Sequence, residues 1–338
     1  MASPQYGAVR VKRVQQSPHT NQPHPLAGLA TLPVELGTRR DRTIPRVEYS
    51  RTWLMLSGLL AGAGLAASIR FGRPVFASLA AAGLAALGYI GLVEPRSPRF
   101  EQIELKLKTL PAGLDGLRIG QLSDLHLGQP FSEQNARWAI EQMQREQPDL
   151  IVITGDFTSK PKAVAKVAPL LASLRAPLGI YAITGNHDYW DNLVLLRNTL
   201  ADLGIPLMFN EHRRLEWNGT EFYLLGLDDM WDGTPDLLVA NTGVPQGVFR
   251  LLLEHSPDFA DEAAAAGIDM QLSGHTHGGH IRWPGLGAAV LPRHGIKYDK
   301  GLFKVGEMQL YVSRGLGGGP FRLFSPPEAT LITLRRGA

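Results

Sequence analysis

The 338-residue chain has no cysteine. That excludes disulfides, thiolate nucleophiles, iron–sulfur clusters and Cys-type zinc sites, so any metal chemistry must use Asp, Asn, Glu and the ten His residues. Charge is sparse, at 19% against 44% hydrophobic residues, a balance that excludes wholesale disorder. No internal repeat is visible. The body also lacks the cationic excess that a nucleic-acid groove needs. Residues 1–51 hold eight Lys/Arg and three Asp/Glu, whereas the rest of the chain holds 26 and 28. The net charge of +3 therefore comes from a basic tail, and no nucleic-acid partner is expected.

Residues 1–50 contain six prolines and no apolar periodicity, which reads as a disordered tail. The composition then changes. Trp53–Ile69 runs 17 residues without a charge, and Val75–Val93 adds 19 more after the break Arg70-Phe71-Gly72-Arg73-Pro74. Each run approaches the roughly 20 residues that span a bilayer as a helix. We read residues 51–95 as a membrane helical hairpin, with Gly58 and Gly62 spaced to let the helices approach. A cleaved signal peptide accounts for one apolar segment but not two. A soluble hairpin and a twin-arginine export signal at Arg39-Arg40 are the competing readings, the latter weakened by the polar Asp41-Arg42-Thr43 that follows.

From about residue 100 the pattern is that of an α/β enzyme domain, expected to reach residue 336. Ile103, Leu105 and Leu107 alternate with polar residues, and short apolar runs recur at 117–122, 150–154, 179–184, 222–227, 248–253, 268–272, 310–313 and 330–334. Helices are expected at Ser132–Gln147, capped by Ser132, and at Lys162–Leu174 and Asp191–Leu203. Alternation early and successive strands later imply a mixed-sheet α/β fold.

Chemistry-bearing residues follow the strands. Ser123-Asp124-Leu125-His126 follows the first run, Gly155-Asp156 the second, and Gly185-Asn186-His187-Asp188 the third. Glu254-His255 and Ser273-Gly274-His275-Thr276-His277 follow two of the later ones. Any single fragment reads equally well as a turn residue, a helix cap or a satisfied core histidine. Five strands each delivering a metal-compatible side chain to a loop do not, because ligands in open α/β sheets bind outside the carboxyl ends of strands.

As a set, these motifs resemble the calcineurin-like metallophosphoesterase family over residues 118–277. Ser123–Gly128, Gly274–Gly279, Tyr311–Gly317 and Pro327-Glu328 are similar to a bacterial branch with N-terminal membrane segments. The resemblance implies a four-layer α/β/β/α sandwich with two mixed sheets, preceded here by the helical hairpin. It also implies two divalent metal ions: the first held by Asp124, His126 and His277, the second by Asn186, His255 and His275, with Asp156 bridging. Oxygen and imidazole ligands suit Mn, Fe, Zn or Mg. In such sites two ions about 3.5–4 Å apart activate a shared water as hydroxide against phosphorus. His187 matches the acid that protonates the leaving oxygen. One position departs from the pattern. Many relatives carry a second Asp in Gly-Asp-x-x-Asp to orient that histidine, whereas this chain has Ser159, leaving Asp188 or a more remote group for the task.

The expected activity is hydrolysis of a phosphodiester or pyrophosphate bond in a phosphorylated small molecule or a lipid-linked substrate. Relatives with this layout include hydrolases of UDP-2,3-diacylglucosamine in lipid A synthesis; a broad phosphodiesterase acting on nucleotides or cell-envelope polymers is the alternative. Arg314, directly after a strand, is a candidate substrate contact. Arg282, Arg293, His294, Lys297 and Lys300 form either a phosphate-gripping loop or a solvated one. Trp231 is expected either at the rim or packed in the core, with the rim favoured. Arg39, Arg40, Arg42, Arg46 and Arg51 precede the hairpin and Arg96 and Arg99 follow it, against two arginines in its turn. That count puts the enzyme on the cytoplasmic side of the inner membrane. Nothing in the sequence sets an oligomeric state.

Overall fold

A computed structural model describes residues 49–72 and 74–337. The expected disordered tail up to residue 48 lies outside the described residues. Two apolar helices come first, α1 (Tyr49–Phe71) and α2 (Pro74–Gly88), the second continuing through a π turn at Tyr89–Val93 and a 3-10 turn to Arg96. Their contact differs from the sequence expectation. Gly58 and Gly62 face open space, whereas a Cβ at Gly64 would lie 2.4 Å from the Ala80 methyl, so Gly64 is where the helices touch.

The rest of the chain alternates in order: β1 (Arg99–Leu107), β2 (Arg118–Leu122), α3 (Ser132–Glu146), β3 (Leu150–Thr154), α4 (Val167–Leu171), β4 (Ile180–Ile183), α5 (Asn186–Trp190), α6 (Leu193–Asp202) and β5 (Leu207–Met208). Then follow β6 (Glu211–Trp217), β7 (Thr220–Gly226), α7 (Leu237–Ala240), β8 (Phe249–Leu253), α8 (Ala260–Ala265) and β9 (Met270–Ser273). A small hairpin of β10 (Arg282–Trp283) and β11 (Gly287–Ala288) precedes β12 (Gly301–Val305), β13 (Met308–Val312) and β14 (Glu328–Arg336).

The strands form two six-stranded sheets, ordered β1-β14-β2-β3-β4-β5 and β12-β13-β9-β8-β7-β6. Both are mixed: β2 to β5 run parallel with β14 antiparallel to β2, and β7, β8, β9 and β13 run parallel between antiparallel edges. Period-two alternation of apolar side chains explains the layering. Leu150 and Val152 join Leu224, Leu251 and Leu272 between the sheets, while Ile151 and Ile153 pack outward on α3 and α6 through Ala136, Ile140 and Leu196. On the other side, Leu225 and Leu252 pack outward on Leu237 and Ala263 of α7 and α8. The result is the four-layer α/β/β/α sandwich.

Three local expectations are corrected. Ser132 does not cap α3: Phe131 holds the cap position in a left-handed conformation, and the Ser132 hydroxyl donates to the Gln129 carbonyl instead. The stretch read as one helix over 162–174 is a 3-10 helix, Pro161–Lys166, followed by the single short α4. The third helix starts later than Asp191, with Asn192 capping α6 by accepting from Leu195 N–H. Strands β6 and β12 were not anticipated. Both are edge strands whose charged residues, such as Arg213, Arg214 and Lys304, mask the apolar alternation.

Candidate metal centre

The carboxyl ends of β2, β3 and β4 from one sheet, and of β8 and β9 from the other, open onto the same space. The sheets are stitched together there. Gln121 Nε2 donates to the Ser273 carbonyl across the sandwich at 3.0 Å, and within the second sheet Gly274 N–H donates to the His255 carbonyl at 3.0 Å. Asp124 N–H and His126 N–H donate to the carbonyls of Gly155 and Asp156. The loops are tight enough to force unusual backbone: Asp124, His126, Asp156, His275 and His277 all have positive φ, between 45° and 71°. Such strain in non-glycine residues persists only where surrounding structure over-determines it. Gly185 is required by close approach, since a Cβ there would lie 2.3 Å from Asp156 Oδ1.

Asp124 and Asp156 organise the side chains. Asp124 Oδ1 lies 3.5 Å from His277 Nε2 and 3.9 Å from His126 Nε2, and the two Nε2 atoms are 3.1 Å apart. Asp156 Oδ2 lies 3.3 Å from His126 Nε2 and 3.4 Å from His255 Nε2. Asp124, His126 and His277 form one group able to hold a metal ion, and Asp124, Asp156 and His255 another. His187 closes a third with His126 and Asp156. The His275 ring stands 4.9 Å from the His255 ring. Asn186 Oδ1 and His255 Nε2 are buried with no hydrogen-bond partner among the described residues. Leaving such atoms unmade is costly unless a cation takes them.

The outer contacts fix which ring atom of each histidine faces the centre. His255 Nδ1 bonds the Thr154 carbonyl at 2.7 Å, and His275 Nε2 bonds the Arg293 carbonyl at 2.7 Å, so Nε2 of the first and Nδ1 of the second are left. His126 Nδ1 lies 2.7 Å from Ser159 Oγ. The position that departs from the family pattern thus serves His126 rather than His187. Asp124 is oriented by a relay in which Gln121 Nε2 donates to Thr154 Oγ1, Thr154 to Ser123 Oγ, and Ser123 to Asp124 Oδ2.

Electrostatics follow from burying two carboxylates among imidazoles. Burial pushes the Asp124 carboxyl up to about 6, with His255 opposing it and Asp156 adding to it. Burial likewise opposes ionisation of Asp156, but His255, His187 and His126 around it win and hold it well below the usual carboxylate range. Burial holds His126 and His277 low and His275 at about 3, so these rings stay neutral and able to ligate. For His255, burial is overcome by Asp156 and Asp124, and its pKa rises well above the imidazole range. A buried set of oxygen and imidazole donors carrying its own proton fits a divalent cation, which would replace that proton.

His187 is half-buried at the mouth. Its backbone N–H donates to Asp156 Oδ1 at 2.9 Å, and its ring sits 4.4 Å from Trp190 and edge-on to His126 at 4.6 Å. Trp190 lies three residues on in the same short helix, a spacing that puts both on one face. Trp231 is at the rim beside His275 and His294, at 5.6 and 6.4 Å between ring centres.

Arg314 is placed differently from the sequence expectation. Its guanidinium is spent on Glu101 and Glu328, both at 2.5 Å, and on the Pro326 carbonyl, which ties β1 to the entry of β14. Two of the loop cations are also committed, Arg282 to Asp299 and Lys297 to Asp261. Arg322 was not anticipated. It is 1% exposed and donates to the carbonyls of Gly317, Arg314 and Ser325 and, at 3.3 Å, to His277 Nδ1. Only its long-range contacts single it out; in sequence it is one arginine in a Gly/Pro-rich loop.

Two mixed sheets whose strand ends converge on buried carboxylates and histidines define a metal-dependent phosphoester hydrolase. The chain belongs to the calcineurin-like phosphoesterase family, whose profile matches residues 117–279. It is 34% identical over 276 residues to the metallophosphoesterase YkuE of Bacillus subtilis, covering 79% of this chain and 96% of that protein. It is 30% identical over 256 residues to the phosphodiesterase YaeI of Escherichia coli, covering 73% and 92%. To the UDP-2,3-diacylglucosamine pyrophosphatase LpxG of Chlamydia trachomatis it is 29% identical over 296 residues, covering 71% and 90%.

Proposed function

We propose that the centre holds two divalent cations and hydrolyses a phosphodiester or pyrophosphate bond. Asp124, His126 and His277 hold the first cation, and Asn186, His255 and His275 the second. The observation that carries this reading is Asp156, whose Oδ2 stands between His126 Nε2 at 3.3 Å and His255 Nε2 at 3.4 Å, one from each set. When bound, such a pair lowers the pKa of water and offsets charge developing on phosphoryl oxygens. The protein's own part is positional. The Ser123–Thr154–Gln121 relay aims Asp124, the Thr154 and Arg293 carbonyls choose the ligating nitrogens, and His187 delivers a proton to the leaving oxygen.

The chain is divided into a basic tail (1–50), a membrane hairpin (51–95) and the enzyme (100–336), with the enzyme on the cytoplasmic side. The helix Pro74–Arg96, long and apolar enough to cross a bilayer, supports the membrane association in that reading. A membrane-held phosphoester hydrolase similar to LpxG points to UDP-2,3-diacylglucosamine as substrate. Metal-loaded protein incubated with that lipid should release UMP, read by phosphorus NMR. Cleavage of simple phosphodiesters without UMP release would instead favour the broader activity for which YaeI is named.

A further inference from the structure

The enzyme domain carries an exposed apolar cluster apart from the metal centre. Trp283, Leu286 and Val290, on and just after the β10–β11 finger, are 55%, 85% and 76% exposed, and neighbouring Phe324 is 53% exposed. Isolated exposed apolar residues are ordinary, but four on and around one short finger are a contact surface. Cations accompany them. Trp283 and Phe324 line a cavity of about 310 Å³ together with Arg282 and Lys300. Lys300 and the exposed Arg293 make no ion pair among the described residues.

The finger is joined to the apolar helices through one segment of chain. Arg282 N–H donates to the Leu323 carbonyl and Leu323 N–H to the His280 carbonyl, which fastens the finger base to residues 321–325. The other side of that segment meets the helix end: Arg322 N–H donates to the Ile90 carbonyl at 3.0 Å, and Ser325 N–H to Glu94 Oε1 at 2.7 Å. Phe321 closes against Gly91, where a Cβ would sit 3.2 Å from its ring. At strand-like spacings the finger base and the helix end are then about 10 Å apart.

We propose that the β10–β11 finger is a second membrane contact, with Trp283, Leu286, Val290 and Phe324 in the interfacial layer and Arg293 and Lys300 against anionic phospholipid headgroups. The inference rests on the reading above that the apolar helices enter a membrane. Indole rings and basic side chains favour this depth, where an apolar body is shielded and a polar edge stays wet. The finger base leads from His280, whose ring stacks on His277 at 4.5 Å, so docking it holds the metal centre beside the lipid surface.

The absence of cysteine makes the test direct. Full-length L286C, L79C (α2) and L238C (α7) would each carry a single environment-sensitive fluorophore, in vesicles of phosphatidylcholine and phosphatidylglycerol at 7:3 with a shallow nitroxide-labelled lipid. All three positions are well exposed. We expect quenching of at least twofold at 286 and 79 and none at 238. Quenching at 79 with 286 behaving like 238 overturns the finger contact alone. No quenching at 79 overturns the membrane reading beneath it. Combining Lys300→Glu and Arg293→Glu should at least halve the quenching at 286 in these vesicles; unchanged quenching removes the cations from the contact.

Discussion

Asp188 Oδ2 accepts the backbone N–H of Asp156 at 2.9 Å. Its other oxygen accepts Phe157 N–H at 2.9 Å, and Oδ2 also takes Gly185 N–H at 3.0 Å. Both oxygens are therefore spent on the loops after β3 and β4, and the Asp156 backbone is pinned in its left-handed conformation. Asp188 shapes the centre and is not the partner of the His187 ring. The adjacent Trp190 ring is what packs against that imidazole. Replacing Asp188 with Asn keeps one acceptor and turns an NH₂ toward a backbone N–H. Asp188→Asn should lower the unfolding free energy by about 2–4 kcal/mol, measured by urea denaturation.

Ser159 gives a prediction about metal affinity. Its hydroxyl lies 2.7 Å from His126 Nδ1, a contact that fixes a ligating ring. Ser159→Ala should weaken one of two binding steps about 10–100-fold in a metal titration, with the fold retained. Ser159→Asp should restore it. An unchanged titration for the alanine variant would mean that His126 is held by the loop backbone alone.

His187 is predicted to act on the leaving group. His187→Ala should reduce turnover of an alkyl phosphodiester by about 100-fold or more, and of a nitrophenyl ester far less, because nitrophenolate departs without a proton. Metal content, read by elemental analysis, should not change. Equal losses on both substrates would assign the ring to something other than proton delivery.

Arg314 tests a structural role against a substrate role. Its side chain is 14% exposed and paired with Glu328, which is 2% exposed, so removing the guanidinium strands a buried carboxylate. Arg314→Gln should cost about 3 kcal/mol of stability while KM stays within twofold. A raised KM at unchanged melting temperature would return Arg314 to the substrate.

Metal removal should expose a pH-dependent cost. In the metal-free protein, burial raises Asp124 to about 6, above its unfolded value of 3.8, so the native state binds the extra proton between those values. Asp124's own contribution to the stability of the stripped protein therefore falls as pH rises through that window, and a divalent cation relieves that cost by taking the proton's place. The increase in melting temperature on adding Mn should grow from pH 5 to pH 7.5. An increment independent of pH would show that Asp124 does not titrate in this range.

Central strands were legible because they are buried on both faces. Leu150–Thr154 reads as an unbroken apolar stretch and matches the observed ends, and the runs at 117–122, 179–184 and 248–253 match to within a residue. The edge strand β6 was not: Glu211–Trp217 pairs on one side only and keeps its charges in solvent, so nothing periodic marks it. The hairpin contact escaped for a related reason. A four-residue glycine spacing marks Gly58 and Gly62, but the facing helix decides which glycine is approached, and that is Gly64.

By itself the sequence determined the kind of chemistry. An absence of thiols and five strand-ending clusters of Asp, Asn and His leave a centre of oxygen and imidazole donors, and those are local facts of composition and order. Only the tertiary structure decided what each neighbour does. Ser159 bonds His126 across 33 positions, Asp188 holds backbone amides rather than a ring, and Arg314 reaches Glu101 across 213 positions. Those partners are chosen by how two sheets pack face to face, which brings distant loops within hydrogen-bond reach and leaves no periodicity in the chain to announce it.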